Sequence, residues 1–301
     1  MKPAEMPMEK DMRSGFVAII GPPNAGKSTL LNQVLGQKIS ITSKKPQTTR
    51  DRILGIVNRP GAQIIFVDTP GIHKSTSLLN KRIVDQALQA AADVDLILFM
   101  VDAVSRNFSA EKQIIAQLHK AKKPVILALN KVDAAKKADL FTLVETFAPA
   151  YDFTAIIPIS ARQNIQVDQL MDAVEKHLPE GPQLYPEDAF TDVSEKFMVK
   201  EIIREKVFRL TGMEIPYSSA VTVDAFDVEK KLIVIHASIH VVRSSQKGII
   251  IGKKGAMLSN IGSRARMDME KMLGKKVLLK LFVKVTRDWV SNQRILDEFG
   301  Y

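Results

Sequence analysis

Over residues 14–178, apolar runs of strand length alternate with stretches of helical period. "FVAII" (16–20) predicts a buried strand, and a helix opens at Lys27–Leu35. "AQIIFVD" (62–68), "DLILFMVD" (95–102), "PVILALN" (124–130) and "AIIPIS" (155–160) predict further strands. Helical spacing fills the gaps at 79–91, 109–120 and 167–178. Continuous apolar strands separated by amphipathic helices imply an α/β domain whose mostly parallel sheet is covered by helices on both faces. "LPEGPQLYPEDAF" (178–190) breaks the rhythm with three prolines, one glycine and three acids. It cannot continue a helix and reads as a linker.

The pattern then changes. "SEKFMVKEIIREKVFRL" (194–210) predicts an amphipathic helix capped by Ser194 and stopped at Gly212. "SSAVTVDAF" and "KKLIVIHASIHV" read as strands, with Val221/Val223 and Ile233/Ile235 in alternation. A short helix at about 243–250, a loop at 252–255, a helix over 256–273, a strand at 275–285 and a last helix at 288–299 follow. The order is α-β-β-α-α-β plus a terminal helix. This divides the chain into a leader (1–14), an α/β domain (15–178), a linker (179–193), a smaller α+β domain (194–287) and a tail (288–301).

Composition narrows the classes. The 301 residues hold no cysteine, which excludes disulfides and thiolate metal sites and fits a reducing, cytoplasmic compartment. No apolar run approaches a bilayer span, and the N-terminal residues lack the apolar core of a signal peptide. Net charge is +10. Twelve Lys/Arg against Asp268 and Glu270 lie between Arg243 and Arg287, so this one segment carries the whole excess. It is either a solvated basic surface or the footprint of a polyanion, whether nucleic acid or membrane headgroups.

The chemistry starts at "GPPNAGKS", where Gly21, Pro22, Pro23, Asn24, Ala25, Gly26, Lys27 and Ser28 follow a strand and open a helix, with Thr29 next. In that context the pattern is a phosphate cradle. Backbone N–H groups face the phosphates, Lys27 reaches the β- and γ-phosphates, and Ser28 binds Mg²⁺. Asp68, Thr69, Pro70 and Gly71 end a later strand; Asp68 can hold Mg²⁺ and the Gly71 N–H can sense the γ-phosphate. Asn130, Lys131 and Asp133 end another. The Asp133 carboxylate can accept from adjacent N1–H and N2–H₂ donors, which guanine has and adenine lacks. Lys131 can lie over the base, and Ser160 and Ala161 would offer backbone N–H to guanine O6. The reading is therefore a GTP/GDP site.

"GPPNAGKS", "KPQTTR" and "DTPGIH" together resemble the Era family, within the translation-factor-related GTPases. The resemblance implies that residues 47–50 form the first switch, where Thr49 in preference to Thr48 coordinates Mg²⁺. After the DxxG glycine, Ras-like enzymes carry a water-orienting glutamine. Ile72 stands there in this chain and cannot orient water, so intrinsic hydrolysis is expected to be slow. In related GTPases the P-loop asparagine helps hold a K⁺ ion that acts where an arginine finger would. Asn24 has that position; the alternative is that it only closes the turn.

The second glycine loop, "GIIIGKKGAML", sits between two predicted helices amid most of the basic charge. It resembles a KH domain of the type with strands before the loop (type II), whose G-x-x-G backbone clamps a single strand and whose groove reads about four bases. Gly252 and Gly255 would permit close approach, Lys253 and Lys254 add charge, and Arg264 and Arg266 are further RNA contacts; of Ile249, Ile250 and Ile251 some belong to the core and one or two floor the groove, with Ile249 and Ile250 the candidates. Trp289 either stacks on a base or lies in the core. A GTPase joined to a KH domain resembles the Era family end to end. That resemblance implies a monomer that binds single-stranded RNA, holds the 3′ end of 16S rRNA, assists maturation of the 30S subunit, and associates loosely with the inner face of the cell membrane.

Overall fold

The computed structural model describes residues 12–41, 53–68, 93–212 and 214–300. The expectations for Thr48, Thr49, Thr69, Pro70, Gly71, Ile72 and the helix at 79–91 fall outside them. Two compact units emerge, and the second takes everything from Val193 onward.

In the first unit, β1 (Arg13–Ile20) leads into α1 (Lys27–Leu35). β2 (Ile53–Arg59), β3 (Ala62–Asp68), β4 (Leu96–Asp102), β5 (Val125–Asn130) and β6 (Ala155–Ile159) complete a six-stranded sheet of order β2-β3-β1-β4-β5-β6. All pairings are parallel except β2 with β3. The helices α2 (Ser109–Ala121), α3 (Lys137–Phe147) and α4 (Val167–Lys176) lie between strands. β3, β5 and nearly all of β4 are buried along their length, as strands covered on both faces must be. The apolar runs that predicted them supply the core, which includes Ile97, Phe99, Leu127 and Leu129.

Two elements went unread in the sequence, β2 and α3. β2 forms a hairpin with β3 around Pro60 and Gly61. β1 starts at Arg13, inside the expected leader. The segment read as a linker is tied to this unit. Gln63, fully buried on β3, accepts from the Leu184 and Tyr185 N–H groups and donates to the Tyr185 carbonyl. The Ile56 N–H donates to the Phe190 carbonyl, the Thr191 hydroxyl to the Leu54 carbonyl, and the Ser14 hydroxyl to the Pro182 carbonyl. The edge strand β2 is thereby covered, which removes an open pairing edge.

The second unit holds α5 (Glu195–Leu210), β7 (Ser219–Val228), β8 (Leu232–Val241), α6 (Ser244–Ile251), α7 (Ala256–Leu273), β9 (Lys276–Val285) and α8 (Gln293–Phe299). The α-β-β-α-α-β order holds. β8 pairs antiparallel with β7 and parallel with β9. Ser194 caps α5 as expected, accepting from the Phe197 N–H at 3.2 Å. The helix is not amphipathic, however: Glu201, Arg204, Glu205 and Lys206 are buried with its apolar residues. Pairing makes that tolerable, since the Arg204 guanidinium donates to both Glu201 oxygens and Lys206 pairs with Glu205 and Asp268. The terminal helix begins at Gln293, later than the expected 288, because the Asn292 side chain caps it there by accepting from Ile295 N–H. Trp289 is a core residue: fully buried, it packs on Phe299 and donates from Nε1 to the Ser218 carbonyl.

Candidate functional site

In the first unit β1, β3, β5 and β6 run parallel and end together at the C-terminal edge of the sheet, where open α/β sheets bind ligands. Gly21–Gly26 turn from β1 into α1, with Asn24 in the left-handed region (φ 65°). Gly26 caps the helix at φ 101°, and a Cβ there would lie 2.1 Å from Asn130 Nδ2. Only glycine fits here, because the Asn130 amide occupies the space a side chain would take. Lys27 is buried and donates from Nζ to the Gly21 and Pro22 carbonyls, both at 3.0 Å. Burial pulls its ammonium down from 10.5 to about 8, against the opposing pull of Asp68. Ser28 and Thr29 occupy the first turn of α1. The Ser28 hydroxyl donates to Asp68 Oδ2 at 2.9 Å, so two of the three expected Mg²⁺ ligands are brought together from separate elements. A hydroxyl and a carboxylate at the end of a phosphate cradle are hard oxygen donors that suit Mg²⁺.

Asn130 ties the loops. Its Nδ2 donates to the Ala25 carbonyl at 2.7 Å, and its Oδ1 accepts from the Ala161 N–H at 2.9 Å. One buried amide thus joins the phosphate loop, the end of β5 and the loop after β6. Asp133 accepts from the Ser160 hydroxyl at 2.6 Å. Lys131, at φ 72°, extends its ammonium to Asp102 on β4. Asp102 was missed; its signal was the acid ending a buried apolar strand beside the strand that ends in Asn130. The N–H groups of Ser160 and Ala161 do not face outward as expected. They donate to the Ile165 carbonyl and to Asn130 Oδ1, because amides this deeply buried need partners within the protein.

In the second unit, α6 ends at Gly252 (φ 72°), where a Cβ would stand 2.7 Å from the Met257 Cβ. Lys253 and Lys254 are exposed at the loop tip, and Gly255 opens α7. A groove of about 450 Å³ lies beside the loop, lined by Gly255, by Leu258, Ser259, Gly262 and Arg266 of α7 and by Leu279 and Leu281 of β9. The small residues along one face of α7 were the missed signal: their spacing lets the helix lie open beside the strand.

Two expectations about this groove are corrected. Ile250 is fully buried in the core and cannot floor it, while its neighbour Ile249 is half exposed. Arg264 stands two residues from Arg266 and so points to another side of α7, where it donates to Asn260 Oδ1.

Comparison with known proteins follows the same division. A family model described as a 50S ribosome-binding GTPase matches residues 16–131, and a KH domain model matches residues 214–290. The GTPase Era of Geobacter metallireducens is 54% identical over 295 residues, covering 97% of this chain and 99% of that protein. That of Geobacter sp. strain M21 is 52% identical over 294 residues, with the same coverage. Among solved structures, an Aquifex aeolicus Era variant bound to GDP·AlF4⁻ is 42% identical with a TM-score of 0.92. An Era complex with MgGDPNP and nucleotides 1506–1542 of 16S ribosomal RNA is 41% identical with a TM-score of 0.93. Each structure covers 96% of this chain and is itself covered to 99%. Two domain models matched in order, and identity above one half along nearly the whole length, mean that the chain belongs to the Era family of GTPases.

Proposed function

We propose that this chain is a GTP-switched RNA-binding factor that holds the 3′ end of 16S rRNA and assists assembly of the 30S subunit, acting as a cytoplasmic monomer. The observation that carries the nucleotide half is the Asn130 amide, which locks the phosphate loop to the base-recognition loops. In this reading Asp133 selects guanine, Lys131 lies over the base, and the backbone of Gly21–Gly26 with Lys27 holds the phosphates. Ser28, Asp68 and Thr49 hold Mg²⁺, and Gly71 senses the γ-phosphate. The ion, when bound, offsets charge on the phosphate oxygens. Hydrolysis cleaves GTP with water to GDP and phosphate, and the chain's own part is positioning. Without a glutamine at Ile72 that step is slow, and Asn24 is our candidate K⁺ ligand.

The RNA half is supported by the groove between α7 and β9 and by the solved relative that carries ribosomal RNA. Lys253, Lys254 and Arg266 meet the sugar-phosphates, and bases enter beside Leu279 and Leu281. That relative's RNA is far longer than the roughly four nucleotides one KH groove reads. No described helix is long and apolar enough to cross a membrane; the membrane contact in this reading is peripheral, through basic side chains. The test is crosslinking in cells followed by sequencing of the attached RNA. Enrichment of the 16S 3′ end is expected, and a scatter of messenger fragments without it overturns the reading.

A further inference from the structure

β9 has two faces, and the groove uses one. Leu279 and Leu281 point to α7, while Lys276, Leu278, Lys280, Phe282 and Lys284 alternate onto the opposite face of the sheet. There, Leu278 is 47% exposed and Phe282 50% exposed. Register places Val234 beside Leu278 and His236 beside Lys280. The His236 and Phe282 rings meet edge to face at 6.4 Å. Trp289 and Phe299 cover the Ala220 and His240 end of the sheet, and this half is left open.

Lysines on an edge strand discourage pairing with other sheets. That explains Lys280, but not a half-exposed phenylalanine and leucine set between the lysines, which work against such protection. A line of cations about 13 Å apart with flat apolar side chains between them suits a strand of unpaired nucleotides: phosphates meet ammonium groups and bases stack on rings. Carboxylates moderate the charge without cancelling it. Lys284 lies 3.4 Å from Asp224 and Lys276 3.7 Å from Glu270, while Asp227 stands opposite Val234 on β7. Lys280 has no carboxylate within ion-pair distance among the described residues. Asp224 also accepts from the Ser238 and Thr222 hydroxyls.

We propose that this open face, centred on Phe282, His236 and Lys280, is a second RNA-binding surface that takes unpaired nucleotides continuing from the groove around the edge of β9. The inference rests on the RNA reading above. It gives a place to RNA that one groove is too short to hold, since a single strand thickness separates the two surfaces.

The test uses the full chain and the RNA of nucleotides 1506–1542. Phe282→Ala should weaken binding about tenfold, the loss of one base stack. Lys280→Glu should flatten the log–log salt dependence by at least about 0.7, the share of one phosphate contact. Photocrosslinking with 4-thiouridine RNA should label the β9 peptide. Both side chains are exposed, so both variants should fold; if Phe282→Ala does not, Lys280→Glu and the crosslink decide. Wild-type affinity and salt slope in these variants, with RNA binding lost on Lys253→Glu/Lys254→Glu, overturn the second surface and leave the RNA reading standing. Wild-type RNA affinity in that loop variant overturns the groove as the RNA site, and with it the continuation of RNA from the groove onto this face. Loss of phosphatidylglycerol-vesicle binding or of self-association in Phe282→Ala, with RNA binding intact, assigns the face to another occupant and also overturns the proposal.

Discussion

Replacing Asn130 by alanine tests the nucleotide site through its structural tie. The amide is 3% exposed and makes two short bonds, to the Ala25 carbonyl at 2.7 Å and from the Ala161 N–H at 2.9 Å. Both backbone partners are buried, Ala25 fully and Ala161 to 1% exposure, so water cannot replace the lost group. Each buried polar group left unsatisfied costs about 1–3 kcal/mol. Asn130→Ala should therefore destabilise the first unit by about 2–4 kcal/mol, or about 4–16 °C in melting temperature for a unit of this size. Nucleotide affinity should fall at least tenfold, because the phosphate loop is no longer held against the base loops. The assay is thermal melting of the full chain alongside titration with a fluorescent GDP analogue. Asn130→Asp sharpens it: a carboxylate still accepts from Ala161 but opposes the Ala25 carbonyl, so it should be no more stable than alanine. A melting temperature within about 1 °C of wild type for Asn130→Ala would refute the tie.

Asp133→Asn should lower GTP affinity by a factor of at least about 10² while leaving the fold intact, since the acceptor for two purine donors is lost; undiminished GTP binding in a filter assay would contradict the role given to Asp133. Lys27 has a folded-state pKa near 8 against an ordinary 10.5, so between those values the unfolded chain binds the proton and the folded chain does not. Stability without nucleotide should thus gain up to about 3 kcal/mol as pH rises through that window, and Lys27→Met should abolish the gain. Parallel pH–melting curves for the two proteins would remove that explanation. Gln63→Leu should release residues 184–185, exposing the segment to limited proteolysis and destabilising the first unit by about 2–4 kcal/mol; unchanged cleavage kinetics would count against the strap.

The parts legible in the sequence are those that local chemistry dictates. Long apolar runs became the buried strands, Ser194 caps its helix, and Gly26 and Gly252 each mark a turn with no room for a side chain. β2 and α3 were legible but weaker. "ILGIVNR" is short and ends at Pro60-Gly61, a hairpin signal, while "KADLFTLVETF" carries Leu140, Leu143, Val144 and Phe147 at helical spacing. What could not be read depends on distant partners. The prolines of 178–190 excluded a helix correctly, but nothing nearby announces that Gln63 will hold Leu184 and Tyr185. Charges at 201–206 read as a solvated face because their burial rests on pairing with one another and with Asp268, more than sixty residues on. Among three adjacent isoleucines, composition cannot say that Ile250 takes the core and Ile249 the surface.

The claim on which the rest depends is that the guanine nucleotide held at one end of the chain sets the grip on RNA at the other. The direct measurement is the affinity of the purified chain for the 1506–1542 RNA with GDPNP, with GDP and with an ATP analogue. GDPNP and GDP should give affinities at least about fivefold apart, a coupling of about 1 kcal/mol, and the ATP analogue should act as if no nucleotide were added. Equal affinities under GDPNP and GDP, or an ATP analogue as effective as GDPNP, would contradict the account.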